Sequence, residues 1–236
     1  MPPLPTGAVS GQNPRMELYA VMRSAFSARE FTPEAVDDAV LARIFEHARF
    51  APSGGNRQGW HVIVVRDQAT KDAFAELAKP PAKRYGAQVA AGEFPWNTVV
   101  PTKLTAEQIA ATDPPRGLSE PYRRAPVVIV VCVDLRVVAS VDSQLDRVGV
   151  ISGASIYPFT WNILLGLRAE GLGGTLTTMP IAQEPELRAL LGVPEGVAVA
   201  ALIPTGHPVR SLSKLRRKPV AEFATRERFD GTPFAP

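Results

Sequence analysis

The sequence predicts an α+β fold in which a mixed β-sheet is covered by helices. Three apolar runs rich in β-branched residues predict strands, at 60–66, 127–133 and 197–204. Between them lie stretches whose apolar residues recur at helical spacing. The 236 residues are 45% hydrophobic and 21% charged, typical of a soluble globular protein. Because we find no internal repeat or domain boundary, we predict a single domain over 16–236, after a flexible Pro- and Gly-rich arm over 1–15.

The helices of the N-terminal half are predicted from apolar spacing and from end signals. The first covers about 17–26, and the second about 38–50, with Asp37 as its N-cap. A third covers about 68–79 and is expected to end at the Pro80-Pro81 pair, since proline lacks the N–H that a helix interior needs.

The C-terminal half is predicted from the same signals. A helix over about 148–170 is expected to kink at Pro158 and to be closed by Gly171 as its C′ residue. Residues 173–178 are predicted as a short strand or loop, and 184–191 as a helix ended by the glycine that follows it. The run 127–133 is apolar throughout, which indicates a strand buried on both faces.

Two segments have less regular patterns. Residues 82–125 are interrupted by five prolines, and so long a segment in a compact domain is often a lid over a binding site. Phe94 and Trp96 are the candidate lid residues, although packing on the domain's own core is an equal alternative. The tail 219–236 holds three phenylalanines but cannot form its own core, so we expect it to dock elsewhere, as on a second subunit.

Composition argues against several classes of protein. The formal net charge is +3 and basic residues are interspersed with acidic ones, which argues against a general nucleic-acid surface. The dense basic run 214–218 is the exception. The single cysteine, Cys132, lies in an apolar strand and suits a reducing compartment. No signal peptide is evident and no apolar run approaches the ~20 residues of a membrane span, so we expect a cytoplasmic protein without a membrane partner.

Motifs for chemistry by protein side chains are missing. No dinucleotide-binding Gly-x-Gly-x-x-Gly follows a strand, and we find no P-loop or nucleophile elbow. The histidines, His47, His61 and His207, have no partners at metal-ligand spacing, so no metal site is predicted. An enzyme with this sequence would rely on a cofactor for its chemistry.

The turn before the first strand is more polar than a simple connection requires. Pro52 should stop the helix, and Gly54 with the glycine after it allows close approach or a positive φ. Ser53 and Asn56 add hydrogen-bonding groups. Such a turn could hold a flat, polar-edged ligand, but the same residue types are common in ordinary turns.

Three separated stretches, taken together, resemble the FMN-dependent nitroreductase family. They are Ser27-Ala-Arg-Glu-Phe31, Ala51-Pro-Ser-Gly-Gly-Asn-Arg-Gln-Gly-Trp60 and Gly171-Leu-Gly-Gly-Thr175. Two further pieces agree, Leu191-Gly-Val-Pro-Glu-Gly196 and Arg217-Lys-Pro219. The resemblance extends over about residues 20–222. It implies a nitroreductase-like fold, an intertwined homodimer and FMN held at the subunit interface.

The resemblance also implies a site for the FMN phosphate. The family's Arg-Arg-Ser-x-Arg motif falls on 25–29, where Ser27 and Arg29 match and would donate to the phosphate. Phe26 occupies one of the two basic positions that are missing here, and Arg23, just upstream, is the candidate replacement.

Near the C-terminus, Arg217 matches the family's second phosphate-binding arginine. The resemblance therefore assigns the basic run 214–218 to phosphate binding. The alternatives are a solvated loop and a nucleic-acid-binding patch.

Contacts with the flavin ring are implied for the polar turn. Pro52, Ser53, Gly54 and Asn56 match the segment that lies along the ring from the partner subunit. Asn56 offers both a donor and an acceptor to the pyrimidine edge.

Leu176, Thr177 and Thr178 match the segment whose backbone faces the reactive side of the ring, with an N–H near flavin N5. The two threonines depart from the glycines or acidic residue usual there.

The implied activity is that of an NAD(P)H-dependent FMN nitroreductase. NADH or NADPH would deliver hydride to flavin N5 and leave, and a nitroaromatic or quinone-like acceptor would take the electrons in the same pocket, by a ping-pong mechanism. No catalytic side chain is expected, because proximity of the stacked donor supplies most of the effect. Three alternatives stay open: a flavin-fragmenting or dehalogenating enzyme of the same fold, a non-catalytic flavin-binding or storage protein, and a nucleic-acid-binding module using 214–218.

Overall fold

The computed structural model describes residues 16–212 and 214–234. Its helices are α1 (Leu18–Ser24), α2 (Asp38–Ala48), α3 (Gln68–Ala90), α4 (Ala106–Ala110), α5 (Arg116–Ser119), α6 (Pro121–Arg124), α7 (Tyr157–Ala169) and α8 (Glu184–Leu191). Its strands are β1 (Trp60–Val65), β2 (Val127–Asp134), β3 (Gly173–Gly174) and β4 (Val197–Gly206). The arm predicted over 1–15 lies outside the described residues.

The four strands form one sheet in the order β1-β2-β4-β3, with every neighbouring pair antiparallel. A parallel pairing occurs at the isolated bridge between Ser27 and Gly174, and the mixed character of the sheet is limited to that contact among the described residues. Helices cover both faces, so the predicted α+β class is confirmed.

Strand β2 is the centre of the core. Its residues 127–133 are buried, which confirms the predicted burial on both faces. Because side chains alternate along a strand, Ile129 and Val131 pack on the side of α2 and α7, and Val128 and Val130 on the side of α3 and α8.

Several helix ends form as predicted. The Asp37 carboxylate caps α2 by accepting from the Ala39 N–H at 3.0 Å. Gly171 takes a φ of +78° after α7, and the glycine after α8, Gly192, takes +65°. Glycine reaches such left-handed angles without the penalty of a Cβ atom.

The prediction that Pro80-Pro81 ends a helix is wrong. Helix α3 continues through both prolines to Ala90. On either side of the pair, Ala78 and Ala82 are completely buried, and Pro81 is buried as well. This burial offsets the missing proline N–H groups. Residues 82–90 are therefore helical, and α4, α5 and α6 give further regular structure to the segment predicted as irregular.

The predicted kink at Pro158 is also wrong. A 3-10 helix spans Ile151–Ser155, and α7 begins separately at Tyr157. Pro158 therefore stands in the first turn of α7, where a missing N–H has no cost because no helical partner exists for it.

The C-terminal tail contains a short 3-10 helix, Val220–Glu222, and an isolated bridge between Thr225 and Pro233. Phe223 and Phe229 are exposed in the single chain. The docking of the tail on a second subunit remains a prediction. Among the described helices, none combines the length and apolarity that a membrane crossing requires.

Candidate functional site

A cavity of about 390 Å³ brings together segments that are far apart in the sequence. We call it the basic cavity. It lies between the segment after α1, one face of α7, strand β3 and the segment that precedes the tail. Its lining consists of Ala25, Phe26, Ser27, Arg29, Trp161, Leu164, Arg168, Leu172, Gly173, Gly174, Leu176, Leu212, Leu215 and Arg217.

Three guanidinium groups line the basic cavity, those of Arg29, Arg168 and Arg217. No carboxylate is among the described lining residues, and none of the ion pairs formed by the described residues involves these arginines. An uncompensated positive cluster of this kind is suited to an anionic ligand.

Two glycines allow the segment after α1 to lie against β3. The Ala28 N–H donates to the Gly174 carbonyl at 3.1 Å. A Cβ atom on Gly173 would lie 2.7 Å from the Ala28 Cβ, and one on Gly174 would lie 2.9 Å from Ile203 Cγ2. Neither position has room for a side chain, so the Gly-Gly pair is needed to place Ser27 and Arg29 at the cavity.

The segment after β3 is attached to the sheet at a single residue. The Thr177 N–H donates to the Leu202 carbonyl, and the Leu202 N–H donates to the Thr177 carbonyl, each at 2.9 Å. Successive backbone amides of an extended segment point in opposite directions. The amides of Leu176 and Thr178 therefore point away from β4, and these two, rather than Thr177, can offer the N–H that was predicted for flavin N5.

The Thr177 side chain is engaged as well. Its hydroxyl lies 2.9 Å from the hydroxyl of Tyr122, a completely buried residue. Burial raises the pKa of Tyr122 far above its ordinary value, so this hydroxyl stays protonated. The pair anchors the segment through a side chain, in addition to its backbone bonds with Leu202.

Two further cavities follow the same segment. A small one of about 190 Å³ shares Arg29 and Leu176 with the basic cavity. A larger one of about 580 Å³, which we call the aromatic cavity, shares Thr178 and Met179 with the small one. The aromatic cavity is lined by Pro81, Tyr85, Pro95, Trp96, Tyr157, Thr178, Met179, Ile181, Ala182, Val199 and Ala200. The three cavities form a row along 175–179.

The two candidate lid residues lie in different places. Trp96 lines the aromatic cavity, and the Arg84 guanidinium lies 4.2 Å from the centroid of its ring. The backbone N–H of Trp96 donates to Gln88 Oε1 at 3.1 Å. Phe94 is 81% exposed and does not line this cavity.

The loop that carries Trp96 is held by one carboxylate. Glu93 accepts hydrogen bonds from the Thr102 hydroxyl at 2.5 Å and from the Lys103 N–H at 2.8 Å. These bonds, that from Thr102 first, lower the pKa of Glu93. The segment predicted as a lid therefore has defined internal structure.

The polar turn lies apart from the three cavities. Within it, the Gly54 N–H donates to Ser155 Oγ at 3.1 Å, and Ser53 Oγ accepts from the Gln58 N–H at 3.0 Å. Pro52 and Asn56 are exposed. None of the four predicted turn residues lines the basic, small or aromatic cavity of its own chain.

Of the predicted phosphate-binding residues, Phe26, Ser27, Arg29 and Arg217 meet at the basic cavity, whereas Arg23 is exposed on α1 and is not part of its lining. Sequence reasoning missed Arg168. The signal available was its spacing, since Trp161, Leu164 and Arg168 share one face of α7, and an arginine interrupts that otherwise apolar stripe.

Residues 22–207 match the sequence profile of the Nitroreductase family. The chain belongs to this family. The resemblance stated from sequence motifs is thereby confirmed, and membership makes the protein an oxidoreductase of the nitroreductase family.

Among curated proteins, the family member named NADH dehydrogenase from Thermus thermophilus is 32% identical over 197 residues, which cover 82% of this chain and 88% of that protein. Iodotyrosine deiodinase 1 of Mus musculus is 26% identical over 209 residues, covering 86% of this chain and 66% of that protein. The relatives of this chain therefore carry names for different reactions.

Two solved structures show the same fold. NADPH:FMN oxidoreductase from Vibrio harveyi complexed with NAD+ has a TM-score of 0.62 at 17% identity, covering 90% of this chain and 77% of that chain. Oxidised iodotyrosine deiodinase bound to FMN and 3-iodo-L-tyrosine has a TM-score of 0.62 at 20% identity, covering 86% and 96%. The nitroreductase-like fold expected from the sequence is confirmed.

Proposed function

We propose that this protein is an FMN-dependent oxidoreductase that takes electrons from NADPH or NADH and passes them to nitroaromatic or quinone-like acceptors. The observation that carries the proposal is the basic cavity. Ser27, Arg29 and Arg217 line it together, although they stand near opposite ends of the chain. The resemblance to the family assigns all three to the phosphate of FMN.

The residues at the site fit FMN, which has a phosphate dianion at one end and a flat three-ring system at the other. Guanidinium groups bind phosphate through charge-assisted and often bidentate hydrogen bonds. The basic cavity would hold the phosphate, and the small cavity beside Leu176 and Thr178 would receive the ring.

Bound FMN would supply the redox chemistry, with hydride transfer at its N5 atom and electron release to the acceptor. The chain's own residues bind and orient. The amide of Leu176 or Thr178 is free to donate toward the ring, because the Thr177 backbone pairs with Leu202. This pairing, together with the Tyr122–Thr177 contact, keeps the donor group in a defined position.

A homodimer is part of the proposal. Because Pro52, Ser53, Gly54 and Asn56 do not line the basic, small or aromatic cavity of their own chain, their predicted contact with the flavin ring requires a second copy. The exposed tail phenylalanines, Phe223 and Phe229, are the corresponding candidates for the tail's contact with that copy.

The aromatic cavity suits a flat acceptor. Tyr85, Trp96 and Tyr157 supply ring faces, and Met179 supplies an adaptable apolar contact. None of the described residues lining it is charged. A neutral or weakly polar aromatic compound is therefore the acceptor class that this lining favours.

The test is an absorption spectrum of the purified protein, recorded anaerobically before and after addition of NADPH, and then NADH. We expect a flavin band that bleaches with at least one of the two, followed by reoxidation when a quinone or nitroaromatic compound is added. A band that neither nicotinamide bleaches would favour flavin storage over catalysis. Absence of a band, with no binding of added FMN, would refute the proposal.

Reductive dehalogenation is a second candidate, because iodotyrosine deiodinases are among the relatives. A free iodotyrosine carries an ammonium and a carboxylate group, which call for charged partners that the described lining of the aromatic cavity does not offer. Iodide release from 3-iodotyrosine by the reduced protein, at a rate above that of quinone reduction, would favour the dehalogenase over the nitroreductase.

A further inference from the structure

We infer that Arg168 is a third guanidinium ligand for the phosphate of the bound flavin. It would take the place of the basic residues that the phosphate motif lacks at Ala25 and Phe26. The inference rests on the proposed function, and it concerns a residue that none of the sequence motifs includes.

Arg168 is held through its Nε atom, which leaves its two terminal Nη groups available to a ligand. It stands in the last turn of α7, half-buried, and lines the basic cavity together with Arg29 and Arg217. Its Nε–H donates to Ser24 Oγ at 2.9 Å, while the Ser24 hydroxyl donates to the Ala20 carbonyl at 2.7 Å. The serine oxygen is thereby fixed as an acceptor, and it sets the direction of the guanidinium.

The two terminal Nη groups of Arg168 have no partner among the hydrogen bonds of the described residues, and these groups carry four of the five guanidinium N–H donors. A planar fork with free Nη groups matches the geometry of phosphate oxygens.

Arg168 is not needed to cap the C-terminus of α7. Arginines near helix C-termini often donate to the last carbonyl groups. At the end of α7 the Leu172 N–H donates to the Leu167 carbonyl at 2.8 Å, and the Gly171 N–H donates to the Arg168 carbonyl at 3.1 Å. These carbonyls are already capped by the backbone, so they do not need the Arg168 side chain.

The charge of Arg168 is also left for a ligand. The nearby carboxylate of Glu170, two positions along the chain, pairs with Arg43 at 2.9 Å instead. A phosphate monoester carries between about −1.5 and −2 charges at neutral pH. Arg29 and Arg217 supply two positive charges that match it, and Arg168 adds a third guanidinium group with further charge-assisted hydrogen-bond donors.

The test compares FMN with riboflavin, which has the same ring and no phosphate. Dissociation constants for both flavins are measured by flavin fluorescence on the wild type and on the Arg168→Gln variant. We expect Arg168→Gln to weaken FMN binding about tenfold to a hundredfold, the range for loss of charge-assisted hydrogen bonds, and to leave riboflavin binding unchanged. Arg217→Ala should show the same selectivity for the phosphate.

Three variants refine the comparison. Arg136→Gln removes the same charge from a surface ion pair with Asp134, outside the cavity, and should change neither constant. Arg168→Lys should recover part of the FMN affinity, because it keeps the charge and loses the fork. Ser24→Ala should weaken FMN binding to a smaller extent, and it provides the test if Arg168→Gln does not fold.

Each contrary result has a distinct meaning. If Arg168→Gln leaves FMN binding unchanged or weakens the binding of both flavins alike, while Arg217→Ala weakens FMN binding alone, Arg168 does not hold the phosphate and the inference is overturned while the proposed function stands. If the wild type binds FMN and riboflavin equally, the basic cavity does not hold the phosphate, and the inference and the proposed placement of FMN are both overturned. If the wild type binds neither flavin, the proposed function fails and the inference fails with it.

Discussion

Thr177 and Tyr122 are joined by a hydrogen bond of 2.9 Å between their hydroxyl oxygens, across 55 positions of sequence. The contact connects helix α6 to the segment 175–179, along which the basic, small and aromatic cavities lie. It places a completely buried tyrosine hydroxyl in contact with a polar partner, where an unpaired hydroxyl would be costly.

We expect Thr177→Val to destabilise the protein by about 1–3 kcal/mol, because it leaves the buried Tyr122 hydroxyl without its partner. Tyr122→Phe should cost less, since the half-buried Thr177 hydroxyl keeps access to the Met179 N–H. Urea unfolding of both single variants and the double variant measures the asymmetry. Equal costs for the two single variants would contradict this account.

Gly173→Ala should separate the phosphate-binding segment from the sheet. The added Cβ would lie 2.7 Å from the Ala28 Cβ, and overpacking of this kind costs about 1–3 kcal/mol. We expect a lower midpoint in thermal unfolding together with weaker FMN binding. Gly149→Ala is the matched control, because this glycine lines none of the three cavities and its Cβ would meet nothing nearer than 3.5 Å. A Gly173→Ala variant that binds FMN normally would show that this close approach is not needed.

Trp96 and Phe94 should differ in their effect on acceptor use. Trp96→Ala removes a ring from the aromatic cavity and should raise KM for nitroaromatic or quinone acceptors by roughly two- to tenfold, the value of an aromatic contact. Because NADPH reduces the flavin in the same pocket, its KM should rise as well. Phe94→Ala, two positions away and 81% exposed, should leave both KM values unaltered. The prediction fails if both variants shift KM alike.

Asp142 should make the loop before α7 sensitive to strong acid. Its carboxylate accepts from the Val150 N–H and from Arg147 Nη1, each at 2.8 Å, and these bonds lower the pKa of Asp142 to about 2 from an ordinary 3.8. Because the folded pKa is depressed, the stabilisation is fully present above pH 3.8 and is lost as pH falls through about 2.

Hydrogen exchange at the Val150 amide measures this effect. Protection should persist at pH 4 and decline toward pH 2, and Asp142→Asn should reduce it at both values. Protection that does not change between pH 4 and pH 2 in the wild type would contradict the assignment.

Local signals in the sequence determined much of the fold. Asp37 caps α2, Gly171 and Gly192 end their helices, and β2 is buried on both faces. These features depend on a few neighbouring residues, namely a side-chain acceptor, a missing Cβ or an unbroken apolar run. Such features can be read without knowing what packs against them.

Several features were decided only by the tertiary structure, because they depend on groups brought from elsewhere in the chain. Pro80 and Pro81 lie inside α3 because the burial of residues around them outweighs the missing backbone hydrogen bonds. Pro158 stands in the first turn of α7 because the preceding residues form a separate 3-10 helix. Motifs selected Arg29 and Arg217 separately, but only folding places both beside Arg168. In the sequence, Arg168 is one polar residue on an apolar face of α7. The role that we infer for it follows from the cavity that it lines together with Arg29 and Arg217.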